Sequence, residues 1–182
     1  MYRGILISML ILTVVSGLAF AAKPDTEAYL KFNLRYDAAR NTASCINYQN
    51  GIIVPAGSKV RIISYNANKI NVELPDKTRV VMEYQKKFTG IAVEAWLDRV
   101  TSPTDPTPEW KDFDETEMKG IKSGKALVGM RKEAVLVALG YPAAHRTPAI
   151  EHDRWVYWSN RFAEFGVVFS NNRVVDVGNA GR

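Results

Sequence analysis

A strict alternation of apolar and polar residues that begins at Tyr29 constrains the fold more than any other feature of the chain. The apolar positions alternate with polar ones: Leu30, Phe32, Leu34 and Tyr36 against Lys31, Asn33 and Arg35. A period of two places successive side chains on opposite faces of a β-strand. The segment therefore predicts a strand with one buried face and one face in water.

Four further strands are predicted at residues 44–48, 59–65, 69–74 and 78–84, where apolar residues recur at alternate positions. Turn-forming residues separate them, as at Asn50-Gly51 and Pro75-Asp76-Lys77. Residues 28–87 are therefore predicted to form a small antiparallel β domain, either a sheet or a partly rolled barrel.

The first 21 residues have the layout of a secretory signal peptide. Arg3 precedes an uncharged apolar run, and Ala19 and Ala21 flank Phe20 as in an A-x-A cleavage site. We therefore predict an exported protein whose signal peptide, residues 1–21, is removed. The alternative is an uncleaved N-terminal anchor, because residues 5–22 provide 18 positions without a charge, the lower limit for a helix that spans a membrane.

Cys45 is the single cysteine of the 182 residues, so an intrachain disulfide is excluded. It also lies too far from the apolar run to carry a lipid anchor. A lone thiol in an exported chain fits a periplasmic protein. The excess of 24 Lys and Arg over 19 Asp and Glu is spread along the chain, which is compatible with peripheral membrane contact and disfavours nucleic acid as a partner.

Residues 88–120 are predicted to hold one short helix and then a connector. Thr89 is a candidate N-cap for a helix that ends near Val100. Three prolines and six acidic residues follow between positions 101 and 117. Proline and like charges favour an extended backbone, so a domain boundary is predicted here. The alternative is an acidic docking segment anchored by Trp110 and Phe113.

Residues 121–178 are predicted to combine one helix with three strands. The helix over residues 131–139 ends at Gly140, which suits the left-handed position after a helix, and Pro142 prevents its continuation. Strands are predicted at residues 154–158, 166–169 and 173–177. Asn171-Asn172 joins the last two, because asparagine tolerates the positive φ angles of a two-residue hairpin.

This part of the chain resembles the BamE/SmpA/OmlA family of outer-membrane assembly accessory proteins. The matching residues are Gly129-Met130, Lys132-Glu133, Val135, Leu139-Gly140-x-Pro142, Trp155-x-Tyr157, Val167-x-Phe169 and Val174. The resemblance implies a small α+β domain that binds proteins or lipids in the cell envelope and has no catalytic centre.

The only cluster of potential metal ligands is His145, Glu151, His152 and Asp153. Its spacing matches none of the helix-borne zinc motifs, so a loop cluster without metal is predicted. No catalytic, metal-binding or cofactor-binding residue is assigned. A metal-dependent hydrolase that uses these histidines is the least favoured alternative.

Aromatic residues are concentrated between Tyr141 and Phe169. Alternation sends Trp155 and Tyr157 to one face of the predicted strand and Trp158 to the other. Rigid rings beside an arginine are typical of protein-binding anchors. Trp158, Arg161 and Phe162 are therefore the candidate partner-binding residues. The alternative is that helices or the first domain cover both faces of the sheet.

Together these features predict an α+β fold: a small N-terminal antiparallel β domain followed by a BamE-like helix plus three-stranded antiparallel sheet. The predicted function is non-enzymatic binding of other envelope proteins, as an accessory or scaffold in outer-membrane assembly. The predicted location is periplasmic or outer-membrane-associated in a Gram-negative-type envelope. The alternative function is a periplasmic ligand- or cell-wall-binding module that uses the N-terminal β domain.

Overall fold

The computed structural model of the chain describes residues 23–179, and the predicted signal peptide lies outside them. The strands are β1 (Thr26–Leu30), β2 (Leu34–Asp37), β3 (Thr42–Ser44), β4 (Ile52–Val54), β5 (Lys59–Tyr65), β6 (Lys69–Glu73), β7 (Arg79–Glu83), β8 (Thr101–Ser102), β9 (Arg154–Asn160), β10 (Ala163–Ser170) and β11 (Arg173–Asn179). The helices are α1 (Lys86–Thr89), α2 (Val93–Val100), α3 (Glu115–Ser123) and α4 (Lys132–Leu139), with a 3₁₀ turn at Thr107–Trp110.

The first eight strands form one sheet in the order β4-β2-β3-β7-β6-β5-β1-β8. β1 and β2 are neighbours in sequence, yet five strand spacings separate them in the sheet. In a flat sheet that separation would be about 24 Å, whereas the backbone from Leu30 to Leu34 spans at most about 14 Å. The sheet must therefore curl into a half-barrel, and residues 31–33 cross its open side.

Helix α2 fills the concave face of this half-barrel. Its buried side chains Trp96, Leu97 and Val100 pack against the inward-facing residues of the strands. Strand residues such as Ile62 and Ile70 are almost completely shielded from water. The interior of the half-barrel is thus a packed apolar core.

A second sheet, in the order β11-β10-β9, packs with α3 and α4 around a separate apolar core. Trp155 and Val167 lie at its centre with no exposed surface. The β10–β11 turn places Asn171 at φ 50° and Asn172 at φ 63°, which confirms the predicted two-residue hairpin.

The predicted fold class is wrong. The N-terminal sheet is neither small nor antiparallel throughout, because it has eight strands and β3 pairs with β7 in parallel. The sheet also includes β8, which pairs with β1 and lies beyond residue 87, where only a helix and a connector were predicted. The described chain is mostly sheet, and it is not a small β domain followed by a BamE-like helix and sheet.

Several local predictions also require correction. The alternating segment is two strands, not one, because the chain leaves β1 at Leu30 and enters β2 at Leu34. Thr89 does not cap the following helix, since α2 begins at Val93 after Ala92. Instead, Thr89 ends α1 and its hydroxyl lies 2.7 Å from the Tyr84 hydroxyl.

Helix α3 begins within the segment that was predicted to be a connector. Asp114 accepts a hydrogen bond from the Glu117 N–H at 2.9 Å, and the Glu117 carboxylate accepts from the Asp114 N–H at 2.9 Å. This reciprocal arrangement is a capping box, for which Asp-x-x-Glu is the sequence signal. Two of the acidic residues that suggested an extended linker therefore start a helix.

Side chains from the half-barrel cap the C-terminal ends of α3 and α4. The buried Asn33 amide donates to the carbonyls of Ile121 at 2.6 Å and Ala138 at 3.1 Å. The Asn47 amide donates to the Leu139 carbonyl at 2.8 Å. Carbonyls at a helix end have no partner within the helix. These hydrogen bonds therefore connect the half-barrel, the first layer, to the second sheet with α3 and α4, which we call the second layer.

Candidate functional site

The β9–β10 turn presents an aromatic ring to solvent. Asn160 pairs with Ala163, so Arg161 and Phe162 form the two-residue turn. The Asn160 side-chain oxygen accepts the Phe162 N–H at 2.9 Å, which fixes the backbone of the turn. Phe162 is 82% exposed, and the Arg161 guanidinium lies 4.8 Å from the centre of its ring. We call Arg161 and Phe162 the hairpin tip.

Trp158 lies on the opposite sheet face from Trp155 and Tyr157, as the alternation predicted. Trp155 and Tyr157 belong to the second core, whereas Trp158 is partly buried against the core of the half-barrel. Its carbonyl accepts the Gln49 N–H at 2.8 Å. Its buried indole N–H has no hydrogen-bond acceptor within residues 23–179. Trp158 therefore packs where the half-barrel meets the second sheet.

Two further aromatic rings, from Phe88 and His145, lie beside Trp158. The His145 ring lies 6.2 Å from the Trp158 ring and 5.1 Å from the Phe88 ring, measured between centroids. We call Phe88, His145 and Trp158 the aromatic row. The sequence around Phe88 has no pattern typical of a binding residue, and His145 was predicted only as a potential metal ligand.

A cleft of about 190 Å³ opens beside Phe88 at the end of the aromatic row. The α1–α2 segment forms one wall and residues 141–150 form the other. Cys45 lines the cleft and is buried, and burial raises the pKa of its thiol. A protonated thiol is a poor nucleophile, so the cleft is better suited to binding than to covalent catalysis.

The candidate metal ligands of the loop at residues 145–153 do not come together in one site. Asp153 pairs with the Lys132 ammonium at 3.1 Å, and His145 packs between aromatic rings. Among the described residues, no three His, Cys, Asp or Glu side chains are placed to hold a metal ion.

Within residues 23–179, no helix combines the length and apolar character needed to cross a membrane.

The strongest charge pair near the second core is Glu117 with Arg131. Glu117 is fully buried and lies 2.7 Å from an Arg131 guanidinium nitrogen. Hydrogen bonds from the Arg131 side chain, opposed by burial, lower the pKa of Glu117 to about 2. A carboxylate held ionised by an arginine cannot act as a proton carrier near neutral pH, so this pair is structural.

Comparison of the chain with protein-family models, with curated proteins and with solved structures finds no match. The resemblance to the BamE/SmpA/OmlA family therefore stays a prediction from the residues alone.

Proposed function

We propose that the chain is an exported, non-enzymatic protein that binds another protein of a Gram-negative-type cell envelope through the hairpin tip. The observation that carries this proposal is the 82% exposure of Phe162. Burying a phenylalanine side chain contributes about 1.5–3 kcal/mol. Because Phe162 stays exposed in the folded chain, most of this free energy does not contribute to folding. It would contribute to binding if a partner buried the ring in an apolar pocket.

The hairpin tip combines the two residue types that dominate binding hot spots. Arginine and aromatic side chains are enriched in such sites, and here they are adjacent in a turn fixed by Asn160. A preformed turn lowers the entropy cost of ordering the contact residues on binding. The aromatic row next to the tip would contact the rim of the same partner.

Nothing in the turn itself requires a phenylalanine. Neither Arg161 nor Phe162 has a positive φ, and the ring of Phe162 is not part of either core. Polar residues are the usual occupants of such turns. The position of this ring is therefore better explained by recognition than by folding.

Site-specific photo-crosslinking in intact cells tests the proposal. A photoreactive phenylalanine analogue at position 162 is expected to give a discrete crosslinked product with an envelope protein. The same analogue at position 128 serves as the control. Val128 is 63% exposed, and Gly129 beside it bonds Val174, near the β10–β11 turn at the opposite end of the sheet.

The crosslinked product from position 162 is expected to decrease strongly when Arg161→Ser is added. Equal products from positions 162 and 128, or a product unaffected by Arg161→Ser, would contradict binding at the hairpin tip. Fractionation and N-terminal sequencing of the same material test export, since a mature N-terminus at Ala22 is expected. A chain recovered from the cytoplasm with Met1 intact would contradict it.

A further inference from the structure

The cleft beside Phe88 is lined by both polar and apolar residues. Its lining includes rings and aliphatic side chains from both walls: Phe88, Ile91, Trp96, Tyr141, Pro142 and Ile150. Trp96 and Cys45 are buried at its base, whereas Ile150 is 38% exposed at its mouth. The cleft is thus shaped to receive an apolar group from solvent.

One cation, Arg99, lines the cleft. The Arg99 guanidinium lies 5.0 Å from the centre of the Tyr141 ring, and both residues line the opening. No Asp or Glu is among the lining residues, and no carboxylate within residues 23–179 lies at ion-pair distance from Arg99. The cleft therefore combines a positive charge with apolar side chains in a mixed lining, which favours an anionic ligand with an apolar body.

The size of the cleft limits that ligand to a single ring. A cavity of about 150 Å³ lined by apolar side chains accommodates one benzene molecule, and the cleft has about 190 Å³. Sites for drug-sized ligands are larger, about 300–1,000 Å³. The extra volume beyond one ring is enough for a carboxylate group and its link to the ring.

We propose that this cleft binds a small carboxylic acid with one ring or a branched aliphatic body. The apolar body lies between Phe88, Ile91 and Ile150, and the carboxylate accepts hydrogen bonds from the Arg99 guanidinium. Arginine is suited to this contact because its planar fork matches a carboxylate and it stacks on aromatic rings. The proposal does not depend on the function of the hairpin tip.

Titration calorimetry of the full chain with phenylacetate and phenylacetamide tests the proposal. The two probes share the ring and differ in charge. Phenylacetate is expected to bind about tenfold more tightly, since a hydrogen bond to a charged group contributes about 1.5 kcal/mol or more. Arg99→Gln is expected to remove that difference by weakening phenylacetate alone.

Two further variants assign the binding to the cleft. Arg40→Gln, a change of the same charge at an exposed arginine outside the lining, is expected to leave both affinities unchanged. Ile150→Ser is expected to weaken both probes about fivefold, since it removes apolar contact without touching charge.

Several results would overturn the proposal. Absence of phenylacetate binding at millimolar concentration would do so, as would equal affinity for the two probes. An equal effect of Arg99→Gln and Arg40→Gln would show that binding reflects net charge and not the cleft. A thermal melt of each variant confirms that it is folded before titration.

Discussion

At the scale of single residues, buried amides determine how the two layers of the molecule fit together. Asn33 is 2% exposed although it occupies a polar position of the alternating segment, where solvent exposure was predicted. Its side chain donates to two helix-end carbonyls, and its side-chain oxygen accepts the Ala56 N–H at 2.8 Å. Alternation identifies which face a residue occupies, but it cannot show that a second layer covers that face.

Replacing Asn33 by Ala is therefore expected to lower the free energy of unfolding by about 3 kcal/mol. The change leaves the Ala138 carbonyl and the Ala56 N–H without their partner and removes one of two donors to the Ile121 carbonyl. A buried unsatisfied group costs about 1–3 kcal/mol. Urea unfolding followed by circular dichroism measures the effect. Asn68→Ala, at an exposed position, is the matched control and is expected to change stability by less than about 0.5 kcal/mol. Equal effects of the two substitutions would show that the Asn33 bonds contribute little.

The buried Glu117 makes a second prediction at this scale, on the dependence of stability on pH. Its pKa is about 2 in the folded chain and 4.5 ordinarily. A lowered folded pKa stabilises the protein fully above the unfolded value, and this contribution is lost as the pH falls from about 4.5 to 2. Wild type is therefore expected to lose stability steeply over that range, and Glu117→Gln to lose less. At pH 7 the substitution is expected to lower stability, because a neutral amide replaces the carboxylate that accepts three hydrogen bonds from Arg131.

Unfolding curves of wild type and Glu117→Gln from pH 2 to 7 measure both effects. The conservative variant Glu117→Asp retains the charge but shortens the reach to Arg131, and it is expected to recover part of the pH dependence. Parallel pH profiles for wild type and Glu117→Gln would contradict the assignment of the acid sensitivity to this pair.

At the scale of elements, the sequence predicts element boundaries well where a turn or a helix end requires a particular residue. Helix α4 ends before Gly140 at φ 80°, as predicted from Leu139-Gly140-x-Pro142. β5 has the predicted bounds, because alternation and turns agree there. β4 and β8 were missed, and the strand predicted at residues 44–48 is wrong because β3 lies at Thr42–Ser44. Strands of two or three residues carry too little periodicity to be recognised.

The β10–β11 turn yields a prediction of its own. Asn171 has φ 50°, a region that glycine and asparagine tolerate and in which other residues are strained by about 1–2 kcal/mol. Asn171→Ala is therefore expected to lower the melting temperature by about 2–4 °C, and Asn171→Gly to leave it nearly unchanged. Scanning calorimetry distinguishes the two variants. An equal decrease for both would indicate that the side chain, and not the backbone conformation, stabilises the turn.

At the scale of the whole molecule, the order of strands decides the architecture, and that order is set by long-range pairing. Local periodicity gave β5, β6 and β7 with close bounds. It could not show that β3 pairs in parallel with β7 or that β1 and β2 lie far apart in the sheet. The hairpin tip was selected from sequence because an aromatic residue beside arginine is a local signal. The cleft was not, since it forms only when the α1–α2 segment meets residues 141–150.

The hydrogen bonds between layers predict that residues 23–179 unfold as one cooperative unit. Arg35 donates to the Gly124 carbonyl at 2.9 Å and Gln49 to the Leu139 carbonyl at 3.1 Å, which adds to the contacts of Asn33 and Asn47. Unfolding either layer alone would separate these groups from their partners. Each buried group that loses its hydrogen bond lowers the free energy of unfolding by about 1–3 kcal/mol. Scanning calorimetry of the purified chain is expected to give one transition whose calorimetric and van't Hoff enthalpies agree. In the double variant Arg35→Ala/Gln49→Ala, the calorimetric enthalpy is expected to exceed the van't Hoff enthalpy because the layers are coupled less strongly. Two separate transitions in the wild-type chain would show that these bonds do not couple the layers.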